Sequence, residues 1–332
     1  MALANTNAIV ANADVNASFI PELWSDEVIA SYKKNLVFAN LVRKLNHKGK
    51  KGDTIYIPRP SRDDASRRAD VTTGYEVSVL AYAQQSQITV AIDRHTEYSR
   101  LFDDFAQVQA LESLRRFFVD DAGYAVSRAI DTDLINEQLA VAFSTLVFQS
   151  GVSGQIDHAA STYVASSAID GDGDAIATLT TNYDAISDVG IRAAIRTLDL
   201  DDVPMGNRVW AVRPEVKEEL TGLPRFTEQA FTGEINGGNT IRNGLIGDVY
   251  GAEVFVTNQL PTVETSAETG DDAGNVSLFF HQDSTVLVEQ MGMRTQRQYK
   301  QEFLADLLTT DTIYGVQNLR DSSIVPMISG TL

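Results

Sequence analysis

The sequence predicts an α+β protein, and three observations carry that expectation. One stretch, Ala106 to Phe143, contains no proline and a single glycine, and its apolar or small residues recur at Leu111, Leu114, Phe118, Ala122, Ala125 and Ala129. Those steps of three and four are the helical period, so they predict one long helix with a continuous stripe along one face. Short extended segments follow it, among them Asn207–Val212, Ala252–Thr257 and Val276–Phe280. Helical and extended segments then interrupt one another without a repeat, which is the pattern of mixed elements around a common core rather than of a repeat array.

The long helix acts as a spine. At 1.5 Å per residue it would be roughly 50 Å long, well beyond an ordinary helix, and needs something equally long to lie against. Arg115, Asp121, Arg128 and Asp131 are expected on the face away from the core. Before the spine, residues 1–20 are small and polar and read as a loose arm. Pro21 opens a helical pattern through Leu23, Val28, Tyr32, Leu36, Ala39 and Val42, which ends in the basic run Lys48–Gly52. A strand is expected at Thr54–Ile57, stopped by Pro58 and Pro60. Alternation resumes at Tyr75–Val79 and Gln87–Ile92, and the spine is expected to follow directly. Strands with a charged tip and few large apolar residues cannot build a core of their own, so they read as a protruding β-arm that packs on another subunit.

Beyond the spine, Val147–Thr181 is rich in Gly, Ser, Ala and Asp and reads as a loop. A helix is expected over Tyr183–Leu200 with Ile186, Val189, Ala193 and Leu198 inward, and a short one over Pro214–Leu220 after the strand Asn207–Val212. Thr221–Asn243 reads as a second long loop. The end of the chain alternates at Thr285–Glu289, Phe303–Thr309 and Tyr314–Leu319, with a polar stretch Arg294–Gln301 between them.

Composition narrows the function classes. Of 332 residues, 43% are hydrophobic, enough for a core, and no apolar run reaches the ~18 residues of a membrane span. Cysteine is absent, which excludes disulfides, thiolate metal sites and cysteine nucleophiles. No Lys or Arg precedes Lys33, unlike the start of a secretory signal, so a soluble intracellular product is expected. The net charge of −18 is uneven: Lys33 to Arg68 holds eleven basic and three acidic residues, +8, leaving −26 for the remainder. That segment could bind nucleic acid, lie on the acidic body of another copy, or be a solvated loop. It lacks the interleaved aromatics of a single-strand platform, which favours the second reading.

Reaction motifs are scarce. His47, His95, His158 and His281 stand singly, with no HExxH or HxH spacing. Asp170-Gly-Asp-Gly-Asp174 has carboxylates at alternate positions, as at the start of an EF-hand, but Ala175 and Thr181 stand where that loop needs glycine and glutamate. There is no phosphate-cradling GxGxxG or Walker lysine and no GxSxG elbow. No catalytic, cofactor-binding or metal residue is assigned, and no enzymatic activity is expected.

The segment Asn239–Pro261, NTIRNGLIGDVYGAEVFVTNQLP, resembles a signature of tailed-bacteriophage major capsid proteins with the HK97-type fold. There a Gly-x-x-x-Gly turn, here Gly247 and Gly251, leads into a strand, Val254–Thr257, that ends in Leu260-Pro261. NRVWAVRPEVKEEL upstream is similar to a strand and helix of the same domain, and Phe303–Arg320, with its Tyr314-Gly315 pair, looks like the closing strands. The order of elements also agrees along nearly the whole chain.

The resemblance implies an HK97-like capsid fold: N-terminal arm and first helix at 1–51, extended β-hairpin loop at 52–97, and peripheral domain with the spine at 98–180. An axial domain at 181–282 and a return to the peripheral domain at 283–332 would complete it. It implies a major capsid protein, a homo-oligomer whose hexamers and pentamers enclose double-stranded DNA without reading its sequence. The chain would be assembled in the host cytoplasm into the virion capsid, with no cofactor and no membrane. Portal, scaffolding and decoration proteins are the implied partners. Some members cross-link through a loop lysine, but no lysine occurs here between Lys51 and Lys217, so non-covalent contacts are expected to hold the shell. Some carry a long cleaved scaffolding segment before the first helix; with Pro21 already opening that helix, a separate scaffolding protein is expected. Arg59, Arg62, Arg67 and Arg68 on the loop are the expected inter-subunit contacts, each facing acidic residues of a neighbour. The alternatives are an encapsulin-like nanocompartment shell and an acidic hydrolase with a calcium-supported loop at Asp170–Asp174.

Overall fold

The computed structural model describes residues 37–49, 51–60, 85–103, 112–145, 155–156, 162–163, 168–176, 183–223, 247–264 and 272–330. Its centre is the spine helix, α2 (Glu112–Leu139), 28 residues and so about 42 Å long. The helix ends earlier than expected, because the chain turns at residues 140–142 into the short strand β5 (Phe143–Thr145), which pairs with β7 (Thr162–Tyr163).

The buried stripe of α2 also differs from the expected one. Ala122, Val126, Leu134, Ile135 and Leu139 are buried, whereas Ala125 and Ala129 are only half-buried. Asp131, expected outside, is 1% exposed. Its carboxylate accepts the backbone N–H groups of Phe38 (3.3 Å) and Ala39 (2.9 Å), at the start of the four-residue helix α1 (Phe38–Leu41). Those N–H groups have no partner inside so short a helix, so a buried acceptor reaching from the spine satisfies them. Burial pushes the Asp131 carboxyl above its usual range, while the Ala39, Phe38 and Val37 N–H groups and Lys44 pull it back.

Against the spine lies a four-stranded sheet in the order β1 (Arg43–Asn46), β14 (Thr285–Lys300), β15 (Ala305–Asn318), β4 (Arg94–Asp103). Two of these elements depart from expectation. Arg43–Asn46 pairs in parallel with Val286–Glu289 and is a strand although most of it is exposed. Arg94–Asp103 separates the loop from the spine and pairs with β15 over its whole length. The polar stretch Arg294–Gln301 is likewise strand as far as Lys300, in register with Ala305–Asp311. Its charges are met across the ladder: Arg294 forms a two-pronged pair with Asp311 (2.8 and 2.9 Å), and Arg297 pairs with Asp306.

An eight-stranded sheet forms the second half. Its main path runs β10 (Asp248–Val249), β11 (Ala252–Val256), β9 (Arg208–Val212), β13 (Asp272–His281), β12 (Thr262–Glu264), β6 (Gln155–Ile156). β16 (Ile324–Gly330) pairs with β13 and β8 (Ile169–Asp170). Thus the chain's last strand, in the segment expected to return to the peripheral domain, ends in this sheet instead. β9 is buried throughout, with Trp210 stacked on Phe279 of β13 at 4.5 Å between ring centroids. Arg208 is 4% exposed there, and its guanidinium is satisfied by the Val203 and Pro204 carbonyls and by Asp199 at 2.7 Å.

α3 (Asp188–Leu200) and α4 (Pro214–Gly222) pack against this sheet. α3 starts later than expected: Ser187 is its N-cap, accepting from Gly190 N–H at 3.1 Å, and Val189 faces outward, 57% exposed. Gly190, Ile191, Ala193, Ala194 and Leu198 are the residues it buries, the expected Ala193 and Leu198 among them. Between β10 and β11, Tyr250 (φ 49°) and Gly251 (φ 83°) form a two-residue turn, both left-handed as a tight hairpin with the native twist requires.

Candidate functional site

The loop leaves the body as β2 (Thr54–Pro60), paired antiparallel with β3 (Gln85–Ala91). Pro58 and Pro60 continue the strand rather than stop it. Among the described residues the sheet has two strands, so each proline can turn its N–H-less side away from the partner. The base is anchored by a small apolar cluster: Val90 and Ile92 against Val286 and Val288, with Ile55, Ile57 and Ile313 packed alongside. Ile92 N–H donates to the Asp53 carbonyl at 2.7 Å, closing the two ends of the loop.

Gly315 of β15 lies beneath this base. A Cβ there would stand 2.2 Å from the Ala91 carbonyl oxygen and 3.1 Å from Ile92 Cα, so only glycine lets the two backbones approach. Its neighbour Tyr314 is wholly buried and faces the other way. Its hydroxyl donates to Asp133 Oδ2 of the spine at 2.6 Å and lies 3.1 Å from Thr96 Oγ1 of β4. Burial and the adjacent Asp133 carboxylate raise the phenol well above its usual range, so it stays protonated. The Tyr-Gly pair therefore fixes the spine on one side and the loop on the other.

Arg94, the first residue of β4, joins the same network. It pairs with Asp133 at 3.0 Å and reaches Glu137 at 3.8 Å. Glu137 Oε1 accepts from Gln317 Nε2 at 3.2 Å, and its carbonyl accepts from the Asn318 side chain. Burial raises the Glu137 carboxyl, opposed by the Asn318 N–H and by Arg94. One turn of the spine thus holds β4, β15 and the root of the loop together. It can fix the angle at which the loop leaves the spine.

Of the four loop arginines, Arg59 is described. It lies exposed on β2 opposite Ser86, whose hydroxyl donates to the Arg59 carbonyl at 3.0 Å, and among the described residues no carboxylate of the chain pairs with its guanidinium. Arg62, Arg67 and Arg68 lie outside the described residues.

The aspartate loop is arranged differently from the expected Asp170, Asp172, Asp174 set. Carboxylate oxygens of Asp170, Asp172 and Asp184 lie within 4.8 Å of one another. Those of Asp170 and Asp172 already accept backbone N–H groups: Gly171 (2.6 Å) and Asp184 (3.1 Å) on Asp170, and Asp174 (3.0 Å) on Asp172. That is the chemistry of a loop closed by its own side chains. Burial raises the Asp170 carboxyl. The network at Arg94 and Tyr314 has no sequence signal beyond the Tyr-Gly pair, since its members come from three separate segments.

No protein-family model matches this chain, and no curated protein matches it. Solved structures do. A chain from Mycobacterium phage Che8 matches with a TM-score of 0.68 at 22% identity, over 93% of this chain and 97% of that one. The capsid of cyanophage P-SCSP1u gives 0.67 at 15% identity, over 95% and 94%. The capsid of Ralstonia phage GP4 gives 0.65 at 16% identity, over 100% and 98%. At these identities the likeness establishes the fold, which is α+β and of the HK97 type.

Proposed function

We propose that this chain is the shell-forming subunit of a tailed bacteriophage, a major capsid protein whose hexamers and pentamers close into an icosahedral shell around double-stranded DNA. One observation carries the reading: the fold matches chains of phage structures, two of them phage capsids, over nine-tenths or more of both partners. The loop supports it physically. Among the described residues β2 and β3 pair only with each other and bury apolar side chains only at their base, so these two strands gain stability when another copy covers them. Neither the hydrolase nor the nanocompartment alternative is supported by these likenesses.

The role is structural, and the residues proposed for contact are Arg59, Arg62, Arg67 and Arg68, each facing carboxylates of a neighbouring copy. The +8 segment against the −26 remainder favours such pairing and guides encounter. The proposed division is arm and first helix at 1–51, loop at 52–97, peripheral part at 98–180, axial part at 181–282, and a return at 283–332 that ends in the axial sheet. Scaffolding, portal and decoration proteins, and assembly in the host cytoplasm, belong to the same proposal. Electron microscopy of the purified chain, with and without a co-expressed scaffolding protein, tests it: closed shells or capsomer rings support it, and a persistent monomer under every assembly condition overturns it.

A further inference from the structure

The four-stranded sheet has an incomplete edge. β1 is four residues long and covers β14 only from Val286 to Glu289, while β14 runs on to Lys300. The contact finishes with His47 N–H on the Glu289 carbonyl and Gly49 N–H on the Gln290 carbonyl, after which the chain leaves for the loop. Among the described residues no strand lies on the outer side of β14 from Met291 to Gln298. The Met291 carbonyl accepts from Thr312 Oγ1 at 2.9 Å, and the pairing with β15 shifts register before Arg294. From Arg294 to Gln298 the ladder is regular, and its outward N–H and C=O groups face no strand among the described residues, a template for another strand.

The edge also states what it rejects. Arg294 and Arg297 stand on it, each about half exposed although each has an aspartate partner on β15. A second β14 edge would set these arginines against their own kind, and the loop segment brings a further excess of cations. The segment that fits is one without Lys or Arg. Residues 1–32 contain neither, and carry Asp14, Glu22, Asp26 and Glu27. Within them, Ala11, Ala13, Val15, Ala17 and Phe19 alternate with Asn12, Asp14, Asn16 and Ser18: nine residues of period two, the pattern of a strand with one apolar face.

We propose that residues 11–19 of the N-terminal arm add to β14 as an outer strand along Met291–Gln298. The apolar row then extends the face on which Met293 Sδ lies 3.9 Å from where a Cβ on Gly123 of the spine would stand. Asp14, in the polar row, then lies on the opposite face, the one that Arg294 shares with Gln296. Reach permits it: the described chain begins at Val37, beside the Asp131 cap, and the 17 residues between Phe19 and Val37 span at most about 60 Å. The arm can serve its own chain or a neighbouring copy.

Backbone hydrogen exchange on the full-length chain, unassembled and assembled, tests this. Relative to the parent, Ala13→Pro/Val15→Pro removes two donors from the arm and should speed exchange across Met291–Gln298 about tenfold or more, leaving spine peptides from Ala122 to Leu139 unchanged. Equal exchange in parent and variant in both states overturns the proposal, whatever else then covers the edge. Because the chain has no cysteine, Asn16→Cys, Asp14→Cys and Ser18→Cys can each be combined with Gln296→Cys and oxidised. A cross-link within one chain or between two supports the pairing and says which copy supplies the strand; no cross-link from any of the three overturns it. The inference does not depend on the shell reading. Shells that form with an unprotected edge refute the strand alone, and a protected edge in a chain that never assembles refutes the shell alone.

Discussion

Gly315→Ala is the sharpest perturbation of the loop root. The added Cβ would stand 2.2 Å from the Ala91 carbonyl oxygen, where an ordinary carbon–oxygen contact is about 3.2 Å or more, so the two backbones must part by about 1 Å. The obstacle is backbone on both sides, and no side-chain rotamer can relieve it. β15 is the less free to move, because Tyr314 and its network tie it to the spine. The loop strand therefore yields, lifting Val90 and Ile92 off Val286 and Val288. Overpacking of this kind costs about 1–3 kcal/mol. Urea unfolding of the unassembled chain should show that loss as a lower midpoint with an unchanged slope. Proteolysis within β2–β3 should accelerate more than cleavage elsewhere, and assembly should fail or give aberrant particles. A variant within about 0.5 kcal/mol of the parent, with normal particles, would refute the claim that close backbone approach at Gly315 seats the loop.

Other substitutions probe the same account. Asp131→Ala strands the buried N–H groups of Phe38 and Ala39 and should cost about 1–3 kcal/mol by urea unfolding, with Asp131→Asn recovering part of it. Glu137 has a raised folded-state pKa, so the folded chain binds its proton more tightly than the unfolded chain and this group adds stability as pH falls from above that raised value towards 4.5. The parent minus Glu137→Gln difference in unfolding free energy should therefore grow on acidification from pH 7 to pH 4.5; a difference that is flat or shrinks contradicts the burial argument. Reversing charge with Arg67→Glu/Arg68→Glu should block assembly while leaving circular dichroism and melting of the single chain unchanged; normal particles would sink the proposed loop contacts.

The sequence exposed those elements whose signal is local. β9, β11 and β13 are apolar runs between turn residues, α4 begins at a proline, and the Gly247 to Gly251 turn shows in its glycines. What stayed hidden depends on distant partners. β1 reads as the tail of the helical pattern that Pro21 opens, because three of its four side chains stay exposed and its strand state comes from β14, some 240 positions along. The distal half of β14 hides behind Arg294 and Arg297, whose charges are met by Asp311 and Asp306 on the next strand. Asp131 looked like solvent-facing helix because nothing nearby in sequence says that α1 brings two N–H groups to it. The spine was found but its stripe misassigned: alanine period alone cannot separate Ala122, which is buried, from Ala125 and Ala129 on the flank. At the loop root only Tyr314-Gly315 was legible, since Arg94, Asp133 and Glu137 converge through tertiary structure.

The central claim is that this chain is a shell subunit, and direct imaging tests it best. Purified protein, alone and with a co-expressed scaffolding protein, should give closed shells, or rings of six and five subunits, by electron microscopy. A chain that stays monomeric at every concentration, salt and scaffold condition would contradict the account.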